Sequence, residues 1–112
     1  MEKIRLGIIG IGNMGSEHCR LILSGQTPEI ALTCVADPRQ DRRDWAQQTL
    51  PAGTGIYADG MSLIRAHACD AVLIATPHEL HPPLAEAALR AGLHVLSEKP
   101  AGVYTCLLYT SP

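Results

Sequence analysis

Short apolar runs alternate along this chain with segments in which apolar residues recur every three or four positions. The runs are Lys3–Ile9, Ile30–Ala36, Ile56–Tyr57, Ala71–Ala75 and Leu93–Ser97. The first delivers Leu6, Ile8 and Ile9 with no charge among them, and the fourth, AVLIA, shows no apolar–polar alternation. Strands covered on both faces have this character. Between the runs lie helix patterns. One follows Gly12 to about Ser24 with Met14, Cys19, Leu21, Ile22 and Leu23, and Gly25 closes it. A polar, Arg-rich segment from about Gln40 to Gln48 reads as a surface helix turning Trp45 and Ala46 inward. Pro51–Gly55 is a loop, and Asp59 caps a brief helix through Met61, Leu63 and Ile64. Pro82 and Pro83 suit the first turn of a helix whose stripe is Leu84, Ala87, Ala88 and Ala91, with Gly92 at its end. Strand–helix alternation of this kind predicts an α/β fold, a doubly wound parallel sheet ordered 3-2-1-4-5.

The first strand runs directly into Gly10-Ile11-Gly12-Asn13-Met14-Gly15, a G-x-G-x-x-G turn opening a helix. In that setting Gly10 allows the tight turn, Gly12 lets the backbone approach a pyrophosphate, and Gly15 lets helix pack closely on strand. The N–H groups and dipole of the new helix face the phosphates. The motif alone also fits a merely tight turn, or the glycine turn of a methyltransferase.

In a sheet of this kind ligands bind beyond the carboxyl ends of the strands, and the unusual residues fall at those ends. Asp37 follows the second strand, 22 residues after Gly15, where an acid accepts both hydroxyls of an adenosine ribose. An Asx-turn before Pro38 is the plainer reading. A carboxylate there disfavours a 2′-phosphate and so favours NAD, while Arg39, Arg42 and Arg43 keep NADP open. Thr76, Pro77 and His78 follow the fourth strand, and Glu98, Lys99 and Pro100 the fifth. Pro100 biases Lys99 to an extended conformation. A lysine whose pKa falls towards neutrality can handle the hydroxyl proton when a carbinol loses hydride, although a surface salt bridge explains it equally on spacing alone. His78, Glu79 and His81 do not have H-E-x-x-H spacing, and Pro82-Pro83 keeps the two histidines off one helical face, so no metal is assigned. His81 fits a helix cap or a polar wall near the nicotinamide.

Composition narrows the partners. With 112 residues the chain makes one domain; its net charge is −2, and with 4% aromatic residues and no Phe it offers few platforms for stacking bases, which argues against nucleic acid. The amino-terminal apolar stretch is too short and glycine-broken for a leader or a membrane span. The four cysteines, Cys19, Cys34, Cys69 and Cys106, show no C-x-x-C spacing and read as free, mostly buried thiols in a reducing cytoplasm.

Taken together, GIIGIGNMG, the acid in VADP, DAVLIATPHELH, AALRAGLHVLSEKP and the following AGVYT resemble the amino-terminal domain of Gfo/Idh/MocA oxidoreductases over about Lys3–Thr105. The resemblance implies a Rossmann fold and an NAD(P)-dependent dehydrogenase acting on a sugar, polyol or related carbonyl compound. It places Gly10, Ile11, Gly12, Asn13, Met14, Gly15, Asp37, Thr76, Pro77, His78, His81 and Glu98 at the cofactor. Lys99 matches the catalytic or substrate-binding lysine of the E-K-P motif. His78 departs from the Asn that many members carry.

A complete member continues into a mostly antiparallel substrate domain that adds a catalytic Asp and His. That domain is absent from this sequence, so a fragment without turnover of its own is expected, and any oligomer contacts are left to the missing part. Cys106–Pro112 do not continue the expected helix and resemble the translation of a transposon adapter used in sequencing libraries, so they are set apart from the fold as an added tail that packs poorly. The competing reading is a non-catalytic dinucleotide sensor that regulates a partner. A methyltransferase is disfavoured by Lys99 in E-K-P.

Overall fold

The computed structural model describes residues 4–25, 29–75, 81–98 and 104–107. Its strands are β1 (Ile4–Ile9), β2 (Ile30–Ala36), β3 (Gly55–Tyr57), β4 (Ala71–Ile74), β5 (His94–Glu98) and β6 (Tyr104–Leu107). The helices are α1 (Asn13–Leu23), α2 (Gln40–Thr49), α3 (Gly60–Ala66) and α4 (His81–Arg90). The sheet order is β3-β2-β1-β4-β5-β6, parallel from β3 to β5. The expected doubly wound order is present, with one addition.

That addition is β6, which pairs antiparallel with β5 and matches Cys106 to Leu96 and Leu107 to Val95. The sequence reading ends the fold at Thr105. The pairing crosses that boundary, because the outer edge of β5 carries unpaired N–H and C=O groups that a strand-forming run such as Tyr-Thr-Cys-Leu satisfies. Residues 108–112 lie outside the described residues.

Alternation along the central strands splits the core in two. Leu6 and Ile8 of β1, Val35 of β2 and Ala71 and Leu73 of β4 pack with Cys19 and Ile22 of α1 and Ala46 of α2. Ile9, Cys34, Ala36, Val72 and Ile74 point the other way, onto Leu63 and Ile64 of α3 and Leu84, Ala85 and Ala88 of α4. Leu6, Ile8, Val35 and Val72 are fully buried. Each such side chain contributes about 1.5–3 kcal/mol relative to exposure, which explains why strands two layers deep carry no polar alternation. Among the described residues no helix is long and apolar enough to cross a membrane.

Arg5 and Asp70 close the amino-terminal end of the sheet, through Nη2–Oδ1 at 2.9 Å and Nε–Oδ2 at 3.2 Å. The guanidinium holds the Asp70 carboxyl below the usual carboxylate range. Both side chains are about half exposed, so the pair orients the chain more than it stabilises it.

Asp59 caps α3 as the sequence predicts, its Oδ1 accepting the Ser62 N–H at 2.8 Å. That bond lowers the pKa of the carboxyl. Asp59→Ala is therefore expected to cost about 1 kcal/mol at neutral pH. The wild-type advantage is present above the ordinary carboxylate pKa and disappears as pH falls through the lowered folded value. Paired urea melts of both proteins across that range measure it. A difference that persists in strong acid removes the cap as its cause.

Candidate functional site

Three backbone hydrogen bonds bring the strand exits to one end of the sheet: Gly10 N–H to Ala36 O at 2.7 Å, Asp37 N–H to Tyr57 O at 3.1 Å, and Ala75 N–H to Ile9 O at 2.8 Å. The order reverses between β1 and β4, the kind of switch point at which such sheets bind ligands, and the glycine loop lies beside it.

The three glycines of that loop answer to different demands. Gly10 has φ +91°, a left-handed conformation that side chains rarely adopt. Gly15 lies against the backbone of Gly10. A Cβ built on it would overlap the Gly10 carbonyl oxygen and lie 2.8 Å from the carbonyl carbon, so only glycine lets α1 approach β1 this closely. Gly12 has φ −70°, and a Cβ there would meet nothing within 4 Å. Packing against the described residues does not demand a glycine at position 12.

Helix α1 begins at Gly12 without a side-chain cap and without an acidic residue in its first turn. Its leading amides therefore keep the partial positive charge of a helix start. Asn13 and Met14 are its first two residues; their side chains lie outside the described residues. Ile11 is anchored instead, with its side chain fully buried in the α1–α2 core.

Asp37 is 8% exposed and fixes the loop. Its Oδ2 accepts the Ile11 N–H at 2.9 Å and its Oδ1 accepts the Arg39 N–H at 2.9 Å. The second bond is the Asx-turn. The first joins residues 26 apart in sequence, and no sequence signal announces it. Each carboxylate oxygen retains a second lone pair for a further donor. Arg43 supports the turn by donating from Nη1 to Asp37 O at 2.8 Å and from Nη2 to Gln40 Oε1 at 2.7 Å. Arg39 is turned outwards in an exposed pair with Asp41 at 3.0 Å.

His81 opens α4 and Glu98 ends β5, both at this end of the sheet; their side chains lie outside the described residues. Thr76, Pro77, His78 and Lys99 lie outside them altogether. The structure thus brings Gly10, Ile11, Gly12, Gly15 and Asp37 together by side chain and backbone, and His81 and Glu98 by backbone position. A hollow of about 730 Å³ runs along α2 at the β3 edge, lined by Arg43, Gln47 and Leu50 among others, and is separate from the glycine loop.

Residues 4–105 match the model of the oxidoreductase family with an NAD-binding Rossmann fold, Gfo/Idh/MocA. The chain belongs to that family. It is 38% identical over 102 residues to inositol 2-dehydrogenase 4 of Saccharopolyspora erythraea, covering 88% of this chain and 29% of that protein. The rhizopine catabolism protein MocA of Rhizobium meliloti is 39% identical over 105 residues, covering 92% and 31%. Scyllo-inositol dehydrogenase of Lactobacillus casei, solved with NAD(H) and scyllo-inositol, superposes with a TM-score of 0.79 at 31% identity over 91% of this chain and 29% of that one. The chain therefore spans about 30% of the length of these Gfo/Idh/MocA relatives.

Asp37→Ala removes an acceptor from a buried amide. The expected loss is about 1–3 kcal/mol, the cost of an unsatisfied buried donor. Asp37→Asn keeps one oxygen and is expected to recover part of it. Equilibrium urea unfolding measures both. Equal stability of wild type and Asp37→Ala would remove the carboxylate as the clamp of the loop.

Proposed function

We propose that this chain is the cofactor-binding part of an NAD-dependent dehydrogenase whose substrate is a sugar, a polyol or a related carbonyl compound. The observation that carries this reading is Gly12. A Cβ at this position would meet none of the described residues within 4 Å, and Gly12 caps a helix that has no side-chain cap. A backbone kept bare beside uncapped amides fits a pyrophosphate. The nicotinamide, when bound, supplies the hydride acceptor and donor.

The protein's own residues would do the rest. The backbone at Gly12, Asn13, Met14 and Gly15 holds the phosphates, while Ile11 and Gly10 set the shape of the loop. Asp37 accepts from the adenosine ribose with the lone pairs its two amides leave, and its charge disfavours a 2′-phosphate. Thr76, Pro77, His78, His81 and Glu98 would bind the cofactor, His81 as a helix cap or a polar wall near the nicotinamide, and Lys99 would handle the substrate hydroxyl proton. The inositol dehydrogenases among the relatives support a polyol as substrate. Residues 106–112 keep their reading as an added tail, since an open β5 edge accepts any strand-forming run. The segment alone is expected to bind NAD weakly and to show no turnover, because orientation of a substrate against Lys99 depends on groups of a second domain and positioning supplies much of the rate.

Titration calorimetry with NAD tests the reading. Gly12→Ala is expected to weaken NAD binding by roughly tenfold or more, the effect of losing about 1.4 kcal/mol of contact, while leaving the thermal midpoint in place. Equal NAD affinity in Gly12→Ala, or tighter binding of NADP by the unaltered chain, would overturn the loop or the Asp37 assignment respectively.

Lys99 is tested where a substrate domain is present. With the segment joined to the second domain of a relative, Lys99→Ala is expected to lower kcat by orders of magnitude at nearly unchanged NAD affinity. Near-normal kcat in that variant sinks the assignment, and polyol oxidation by the segment alone overturns the two-domain reading. NAD binding by the joined protein without turnover on any polyol would favour the sensor instead.

A further inference from the structure

Away from the strand exits, two buried thiols converge beneath the central strand. The pairing of β1 with β2 is irregular between Leu6 and Gly7, so that Thr33 and Cys34 together face that step. The hydroxyl of Thr33, the extra residue, donates to Ala68 O at 2.9 Å. This ties β2 to the α3–β4 connection one residue before each cysteine. Cys34 and Cys69 are 0% and 3% exposed, and both sulfurs border the space that a side chain at position 7 would occupy. A Cβ on Gly7 would lie 2.9 Å from Cys34 Sγ and 3.1 Å from Cys69 Sγ. The two sulfurs thus share one small space, and each thiol bears on the ionisation of the other.

We propose that Cys34 and Cys69 are an oxidisable thiol pair that closes to a disulfide beneath Gly7 when a small peroxide reaches them. The Cys34 sulfur attacks as thiolate, forms an S–O bond and breaks the O–O bond. Sulfenic acid results, and the departing hydroxide takes up a proton as water. The Cys69 sulfur then attacks Cys34 Sγ, an S–S bond forms, the S–O bond breaks, and the second oxygen leaves as water with the Cys69 proton. Two thiols lose two protons and two electrons, and one hydrogen peroxide becomes two waters.

Cys34 is the attacking sulfur because the neighbouring Cys69 thiol and the charge of Arg5 favour its thiolate, which lowers its pKa. The same proximity holds the Cys69 pKa up. Cys19, in the other core, has burial as the main influence on its thiol, which is pushed up to about 12. It is the internal control.

The folded chain is treated with hydrogen peroxide, quenched, alkylated in denaturant, digested and mapped by mass spectrometry, with circular dichroism recorded before the quench. The expected result is joint loss of free Cys34 and Cys69 into one linked peptide about 2 Da lighter than its two parts. Dithiothreitol recovers both, Cys19 stays alkylatable, and the folded spectrum is retained. In Cys69→Ser the linked peptide is expected to vanish and Cys34 to stop at a dimedone-reactive sulfenic acid. Four results overturn the proposal: both thiols still free after peroxide, Cys34 overoxidised without a link, dominant links to Cys19 or Cys106, or a link that forms only as the folded spectrum is lost. The wild-type map decides the matter if Cys69→Ser does not fold.

Discussion

Burial of β1 on both faces is the constraint from which the rest follows. A strand with neighbours on either side and helices above and below can carry no polar side chain along its covered part, and Leu6, Ile8 and Ile9 meet that demand while Arg5 lies at the exposed amino-terminal end. Its end is equally confined. The chain must reverse into α1 within a few residues and lay that helix back against the sheet, so the Gly10 carbonyl and the Gly15 α-carbon become neighbours. Tight closure leaves the first turn of α1 aimed past the end of the sheet, in the gap between β1 and β4. The placing of a helix start beyond the sheet's end is thus a consequence of how the central strand is covered.

Asp37 makes the glycine loop rigid. A loop ending in a buried amide leaves a donor unsatisfied, and Ile11, whose side chain is locked in the core, would present one. The carboxylate at the exit of β2 accepts that amide and the amide of Arg39 together, fixing the exits of two adjacent strands against each other. A residue readable as a ligand contact or as a turn former is, in this structure, also the brace of the neighbouring loop. The roles do not compete, because a carboxylate has more acceptor sites than the two amides use.

The order of the sheet, the cap at Asp59 and the inward turn of Ala46 were legible because each depends on local composition: apolar runs between helix patterns, an Asp three residues before an amide, a small residue on a polar helix. The Asp37–Ile11 bond was not, since nothing in a sequence pairs a side chain with one particular amide 26 residues away. Nor was the convergence of Cys34 and Cys69, which requires an irregular strand pairing, a glycine on the strand between and a connection crossing at the right height. The pairing of Cys106 and Leu107 with β5 escaped for a related reason. Their place in a strand is set by an open sheet edge and not by any apolar periodicity of their own.

The G-x-G-x-x-G motif separates, on inspection, into parts that serve the fold and a part that does not. Gly10 is fixed by its backbone conformation and Gly15 by contact with Gly10. A chain selected only to make this strand–turn–helix would need those two, whereas a Cβ at position 12 would meet none of the described residues. Sequence alone cannot apportion the three, since all are the same residue in the same turn. Geometry can, by asking what each missing side chain would strike. At Gly15 it would strike the backbone of Gly10, at Gly10 the positive φ already excludes it, and at Gly12 it would meet none of the described residues, so it is there that a ligand's requirements, as distinct from the fold's, have room to act.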